Sequence, residues 1–338
     1  MSLHAFACCQ VGSERLLKGE VARTQPGFRP AFARPGLVTW VSDTATSAAI
    51  DLGAVFARVW GASLGRATTA AEVTALLGAE SGPDSSELRL HVFARDPAAV
   101  GAAAEVLRVR DELLATGRFG ATTQPRIGDL VGDVITAPGE PFLVGLHQHA
   151  AGRWVVPGGQ PTIEVPPESP SRAFAKIEEA IVWAGLEVGP GHVALEVGSS
   201  PGGAALALAR RGVTVWGVDP AAMGPGVLEY RGPAGARIHH LPIRVSELRW
   251  EDLPPRLDWL LLDVNLAPQV ALHAIQRLLP RLRKDLRGAV FTLKLNDPRI
   301  IAEIPALLER VRRLGFDAVR ATHLPSNRRE ICCVARRK

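Results

Sequence analysis

From residue 170 onward the chain alternates short apolar runs with amphipathic stretches, the signatures of strands and helices. Apolar runs near 193–197, 213–218, 237–241, 259–263, 288–294, 317–322 and 330–335 predict seven strands. Stretches at 203–211, 268–283 and 300–314 predict the helices between them. A further helix is opened by Ser171, a good N-cap residue, and keeps Phe174, Ile177, Ile181 and Ala184 on one face. Strands and helices in alternation make a doubly wound α/β sheet. The last two strands are joined only by Pro325-Ser-Asn-Arg-Arg329. A parallel crossover needs about a dozen residues or more, so the final strand must run antiparallel.

The first half is patterned differently. Residues 1–60 offer a strand, a helix at 12–22 and more strand-like sequence. Between 61 and 155 come a helix at 68–78, a strand at 87–94, a helix at 97–115 and strands at 129–136 and 141–147. That is an α+β region with no catalytic spacing. Residues 156–170 read as a linker, because prolines at 157, 161, 166, 167 and 170 exclude helix and central strand.

Composition narrows the class. With 47% hydrophobic and 22% charged residues the 338-residue chain is globular, and it is long enough for two or three domains. No apolar run approaches the roughly 20 residues that span a bilayer, and the first residues lack a signal-peptide pattern, so a cytoplasmic protein is expected. The cysteines form two adjacent pairs, Cys8-Cys9 and Cys332-Cys333, each in a strand-like apolar run. Neither pair has metal-ligand spacing, so buried thiols and no metal are expected. The net charge of +5 is uneven: from Val270 to Lys338 there are 16 Lys and Arg against 6 Asp and Glu. A basic terminal third on a near-neutral body points to a polyanion, nucleic acid above all.

The segment Leu195-Glu-Val-Gly-Ser-Ser-Pro-Gly-Gly203 carries the first chemistry. It reads as a strand running into a glycine-rich loop and a helix, and the next strand ends on Asp219. Glycines at 198, 202 and 203 let backbone approach a ligand, and an acid in the position of Asp219 suits a ribose diol. The dinucleotide fingerprint needs glycines two and five positions after the first; Ser200 occupies one of these, so S-adenosylmethionine suits the loop better than NAD. Six parallel strands and one antiparallel strand likewise describe the sheet of class I S-adenosylmethionine-dependent methyltransferases.

Chemistry in such a sheet sits at the carboxyl ends of its parallel strands. Asp263 ends one strand, Lys294 ends another, and Glu330 begins the antiparallel one, which brings it to the same edge. Lys176 lies on the first helix, off its apolar stripe. An alcohol is a weak nucleophile and needs a base, for which a tuned lysine can serve. Lys294 is the expected base, with Lys176 nearby lowering its pKa and Asp263 opposing that, so that the two are in close balance. A methylase of exocyclic amines would want an Asn- or Asp-Pro-Pro-Tyr cradle where this chain has Asp263-Val-Asn-Leu. Singly, each residue has a plainer reading: Lys176 a solvated helix lysine, Glu330 a partner of Arg328 or Arg329, Asp263 a helix cap.

As an ordered set they resemble the FtsJ-type ribose 2′-O-methyltransferases, whose catalytic tetrad is Lys-Asp-Lys-Glu. The matching segments are Ser171-Arg-Ala-Phe-Ala-Lys176-Ile-Glu-Glu, Gly198-Ser-Ser-Pro-Gly-Gly203, Leu262-Asp263, Leu293-Lys294-Leu and Arg329-Glu330. Within the family the likeness is greatest to the enzymes that methylate a cytidine ribose of 23S rRNA. The resemblance implies catalytic Lys176, Asp263, Lys294 and Glu330. It implies S-adenosylmethionine on Glu196, Gly198, Ser199, Ser200, Pro201, Gly202, Gly203, Asp219 and Asp263. Arg172, Arg328, Arg329, Arg336, Arg337 and Lys338 would meet RNA phosphates. It further implies an N-terminal α+β domain over 1–60, a THUMP-like RNA-binding domain over 61–155 and a Rossmann-like catalytic domain over 171–338, acting as a monomer. Departures are Glu196 where the family has Asp, Ala204 where it has an aromatic, and Ile243-Arg-Val-Ser246, with only Glu247 nearby, where it places an acid. The alternative is a non-catalytic RNA-binding or ribosome-assembly factor that retains the fold.

Overall fold

The computed structural model describes residues 2–43, 50–81, 88–120, 124–282 and 285–337. The chain divides into two compact units, Met1–Pro161 and Thr162–Lys338.

The first unit is one seven-stranded sheet with helices. Its elements are β1 (Leu3–Cys8), α1 (Glu14–Thr24), β2 (Arg29–Arg34), β3 (Leu37–Ser42), β4 (Val59–Ala67), α2 (Ala70–Ser81), β5 (Arg89–Ala94), α3 (Ala102–Ala115), β6 (Leu130–Thr136) and β7 (Phe142–Gln148). The strand order is β2-β3-β1-β4-β7-β6-β5, and only β5 and β6 run parallel. A single sheet therefore runs across residue 60, because β4 pairs with β1 on one side and β7 on the other. One buried cluster gathers Val73, Leu77, Val109 and Leu113 of the helices against Leu90, Val134 and Val144 of the sheet. A second holds Phe6, Leu37, Val59, Phe93 and Ile135, with Phe32 packed against it.

The second unit follows the expected alternation. Its elements are α4 (Ala173–Ala184), β8 (Val193–Val197), α5 (Gly203–Arg210), β9 (Thr214–Val218), β10 (Ile238–Leu241), β11 (Trp259–Leu262), α6 (Pro268–Leu282), β12 (Gly288–Lys294), α7 (Pro298–Arg313), β13 (Ala318–Thr322) and β14 (Glu330–Arg336). The order β10-β9-β8-β11-β12-β14-β13, with β14 antiparallel to both neighbours, is the class I methyltransferase sheet. From β8 the chain builds outward through β9 and β10, then returns to β11 on the other side. The order of connection reverses between the paired strands β8 and β11, and the crevice of an open sheet lies at the carboxyl ends of such a switch point.

Local boundaries move where side chains compete for backbone donors. Ser171 accepts from Ala173 N at 3.3 Å, but α4 itself starts at Ala173 and Arg172 takes the cap position. α7 starts two residues before expectation because the Asp297 carboxylate accepts from Arg299 N at 2.9 Å. All four cysteines are buried, and burial pushes the thiols of Cys9 and Cys333 up to about 12, which leaves them unreactive. Among the described residues no helix is long and apolar enough to cross a membrane, and no His, Cys, Asp and Glu group could hold a metal ion.

Candidate active site

Sheet register builds the site. Lys294, the last residue of β12, lies directly opposite Glu330, the first of β14. Asp263 follows the end of β11 and extends its pairing with β8, donating its N–H to Val197 O at 3.0 Å. With two residues per pleat, Glu196, Asp263, Lys294 and Glu330 fall on one face of the sheet. α4 lies over that face and supplies Lys176.

The four tetrad side chains close a square of hydrogen-bonded ion pairs. Lys176 Nζ is 3.1 Å from Asp263 Oδ2 and 2.6 Å from Glu330 Oε1. Lys294 Nζ is 2.7 Å from Asp263 Oδ1 and 2.7 Å from Glu330 Oε2. Each carboxylate thus gives one oxygen to each lysine. The side chains are only 9–21% exposed, so these contacts are far stronger than surface pairs. The plainer readings fall away: Asp263 holds lysines rather than capping a helix, and Glu330 pairs with lysines rather than with Arg328 or Arg329.

The square corrects one electrostatic expectation. Burial disfavours the Lys294 ammonium, but the charges and hydrogen bonds of Asp263 and Glu330 outweigh it, and the pKa is raised where a close balance was expected. Glu330 moves the complementary way. Burial would raise its pKa, but hydrogen bonds from Lys176 and Lys294 hold it below the usual carboxylate range. At rest Lys294 is a firm cation.

Beneath the square lies a cavity of about 30 Å³ whose walls include Lys176, Glu196, Asp263, Thr292 and Cys332. Glu196 is buried beside it. Burial, then the negative charges of Asp263 and Asp219, push its carboxyl well above the ordinary range, against one hydrogen bond from Ala205 N. Its Oε2 and the buried Ser199 hydroxyl have no partner among the described residues. Asp219 ties the neighbouring loops: it accepts from Ser200 N at 3.2 Å and from Ala221 N at 2.9 Å.

The loop glycines are also required by the chain's own packing. Gly198 has φ +85°, and a Cβ there would stand 2.3 Å from Asp263 O; at Gly203 it would stand 2.3 Å from Ser171 Oγ. Their freedom serves the close passage of the chain's own segments, which brings Asp263 against the loop.

The expected phosphate contacts divide. Arg172, Arg328 and Arg329 are exposed and in no ion pair among the described residues. Arg336 is a correction: its guanidinium donates to Ala184 O and to Gly185 O, the latter at 2.6 Å, so it caps α4. Arg337 is half-buried with a partner of its own, and Lys338 lies outside the described residues. Glu179, three residues beyond Lys176, was missed by sequence reasoning. It is buried and accepts from Ser326 N at 3.0 Å and Ser326 Oγ at 2.6 Å, which fastens the β13–β14 turn to α4. Its position on the buried side of an amphipathic helix was the available signal.

No family model matches the chain. It is similar to the protein named ribosomal RNA large subunit methyltransferase M of Halorhodospira halophila, with 34% identity over 188 residues, 54% of this chain and 51% of that protein. The protein of the same name in Xylella fastidiosa strain M12 is 29% identical over 238 residues, 67% of this chain and 63% of its own length. The chain therefore spans about half the length of the first and under two thirds of the second. These relatives bear out the likeness to a ribosomal RNA methyltransferase that the tetrad and loop motifs suggested. The solved structure of TrmN from Thermus thermophilus aligns over 99% of both chains at 17% identity with a TM-score of 0.36, too loose a likeness to bear on the site.

The ion square has a defined pH signature. Glu330, with its pKa lowered on folding, contributes stability above its unfolded pKa and loses it as pH falls through the folded value. Lys294, with its pKa raised, contributes below its unfolded pKa and loses that as pH rises through the folded one. Thermal melts of wild type and Glu330→Gln should differ most near neutrality, and the gap should shrink between roughly pH 5 and pH 3. A gap that stays constant across that acid range would show that the pairs leave the Glu330 titration unmoved.

Proposed function

We propose that this chain is an S-adenosylmethionine-dependent methyltransferase that modifies a ribose 2′-hydroxyl in structured RNA, a cytidine of 23S rRNA, in the cytoplasm and as a monomer. The observation that carries the reading is the closed Lys176-Asp263-Lys294-Glu330 square, standing at the carboxyl edge of the parallel strands beside the Gly198–Gly203 loop. The curated relatives support the coarser part, methylation of ribosomal RNA.

The residues around the crevice fit the cofactor. Glu196 and Ser199 carry buried polar atoms without partners among the described residues, and Asp219 stands at the end of β9 with lone pairs left after its two backbone contacts. Glu196 would take the amino group of the methionine part, Asp219 the ribose hydroxyls, and the 198–203 loop the space between. When bound, S-adenosylmethionine supplies a methyl group on a positively charged sulfur. Everything else falls to the protein. Arg172, Arg328 and Arg329 hold RNA phosphates. The residues of 1–161, with a THUMP-like role, capture the RNA.

Lys294 takes the proton of the 2′-hydroxyl. It can do so only after shedding its own, so the square must loosen before the proton moves. Lys176 remains charged and keeps Asp263 and Glu330 oriented toward the crevice. An alcohol bound there meets both a base and a preorganised field.

Mapping of 2′-O-methyl groups on rRNA from cells with and without the gene tests the reading. One cytidine of 23S rRNA should lose its mark, and an unchanged map would overturn it.

Lys294→Ala should bind cofactor and RNA nearly normally while the single-turnover rate falls by roughly 10²–10⁴, the usual range for a lost base. Lys294→Arg should be as inert, because guanidinium stays protonated. In wild type the rate should climb with pH without levelling off in the neutral range, since the Lys294 pKa is raised. A near-normal arginine variant would move the base elsewhere.

Asp219→Ala should lose most of its cofactor affinity by calorimetry, because the ribose hydroxyls lose a charge-assisted partner. Unchanged affinity would remove Asp219 from the cofactor site.

A further inference from the structure

A second cavity is lined by residues of the first unit alone. Its volume is about 290 Å³, near the lower end for small-ligand clefts. Phe32, Arg66, Arg95 and Glu140 form its charged and aromatic wall, and Ser63 and Thr136 add hydroxyls.

The charge at this cavity is unbalanced. The first unit as a whole has 14 Lys and Arg against 15 Asp and Glu, so it holds no general excess of positive charge. Here Arg66 and Arg95 of the wall, with Arg34 beside Phe32, act on one acid, Glu140. Arg95 is committed to Glu140 through a bidentate pair at 2.9 and 3.0 Å. Arg34 and Arg66 are in no ion pair among the described residues, although both act at longer range on the Glu140 carboxylate. Instead their guanidinium groups lie over the Phe32 ring, at 4.5 Å for Arg34 and 5.7 Å for Arg66. Both arginines are exposed and Phe32 is half-buried. Two exposed cations gathered on one aromatic ring, with Glu140 already paired to Arg95, leave positive charge free to meet an outside anion.

The chemistry selects the occupant. A planar ring beside guanidinium planes stacks a nucleobase, and the unpaired charges take a phosphate. Ser63 and Thr136 can donate to or accept from a base edge. We propose that this cavity binds one unpaired nucleotide of an RNA strand, with the base against Phe32 and Arg66 and the phosphate on Arg34 and Arg66. The site rests on the reading of the protein as RNA-directed and gives its first unit a defined contact. Sheet geometry assembles it: β2 brings Phe32 and Arg34, β4 brings Ser63 and Arg66, and Thr136 ends β6.

The test uses the full chain and binding alone, so that methyl transfer does not enter. A fluorescently labelled single-stranded RNA dodecamer is titrated by anisotropy against wild type, Arg34→Ala, Arg66→Ala and Phe32→Ala. The expected result is a loss of affinity of about 10-fold or more for Phe32→Ala, in line with a lost stacking partner. Each arginine variant should weaken binding and make the salt dependence shallower by about 0.7 in log–log slope, the value for one single-strand phosphate. Phe32 also packs on the core, so the exposed arginines keep the test valid if that variant misfolds. Cytidine monophosphate should compete with the strand in wild type and not in Arg66→Ala. Unchanged strand affinity in both arginine variants overturns the proposal. Arg66-dependent binding of the mononucleotide with unchanged strand affinity overturns RNA as the occupant and leaves a free-nucleotide site. Arg-dependent strand binding in a protein that marks no rRNA would sustain this site while the enzymatic reading falls.

Discussion

The antiparallel pairing of β14 between β12 and β13 is the constraint on which the rest of the second unit depends. Had the last strand run parallel, its first residue would lie at the amino edge of the sheet. Reversal brings Glu330 to the carboxyl edge, level with Lys294. A register slip of one residue would turn Glu330 to the opposite face and leave two lysines with one carboxylate. α4 is fastened to this strand at both ends: Glu179 holds the turn before it through Ser326, and Arg336 at its far end caps the helix carbonyls. That double attachment delivers Lys176 to a square otherwise built from strand ends.

Placing four charges where they are barely exposed is costly unless each finds partners of the opposite sign. Here each lysine meets two carboxylates and each carboxylate two lysines, so the desolvation cost is offset inside the site. The same closure sets the resting chemistry. A lysine with two carboxylates at 2.7 Å holds its proton tightly, which opposes the role of base. Stability and reactivity therefore pull in opposite directions at Lys294, and a substrate that separates the pairs would exchange one for the other.

The features legible in the sequence were those set by local pattern. Short apolar runs marked all seven strands of the second unit, and the seven-residue gap before β14 was enough to reverse it. Strand ends then placed Asp263, Lys294 and Glu330 together before any distance was known. What escaped depends on contacts between distant segments. The direction of the Lys294 shift follows from two carboxylates at hydrogen-bond distance, whereas spacing alone left Lys176 and Asp263 in near balance. Arg336 reads as one of three terminal basic residues, yet strand pairing carries it to the end of a helix about 150 positions earlier. The continuity of the first sheet across residue 60 is equally non-local, because β1 and β7 meet β4 from opposite ends of that unit.

On the proposed function, attraction and catalysis draw on different groups. The tetrad sums to zero and is shielded from solvent, so dissolved salt hardly reaches it. The exposed Arg172, Arg328 and Arg329 lie in open water, where phosphate contacts weaken steeply with ionic strength. A polyanion drawn by these arginines meets no net field at the square itself. In the proposed reaction only close contact, with a hydroxyl entering the crevice and displacing a carboxylate from Lys294, would couple the two. On this arrangement, affinity for RNA can be strengthened or weakened on the surface without disturbing the balance that the buried square requires.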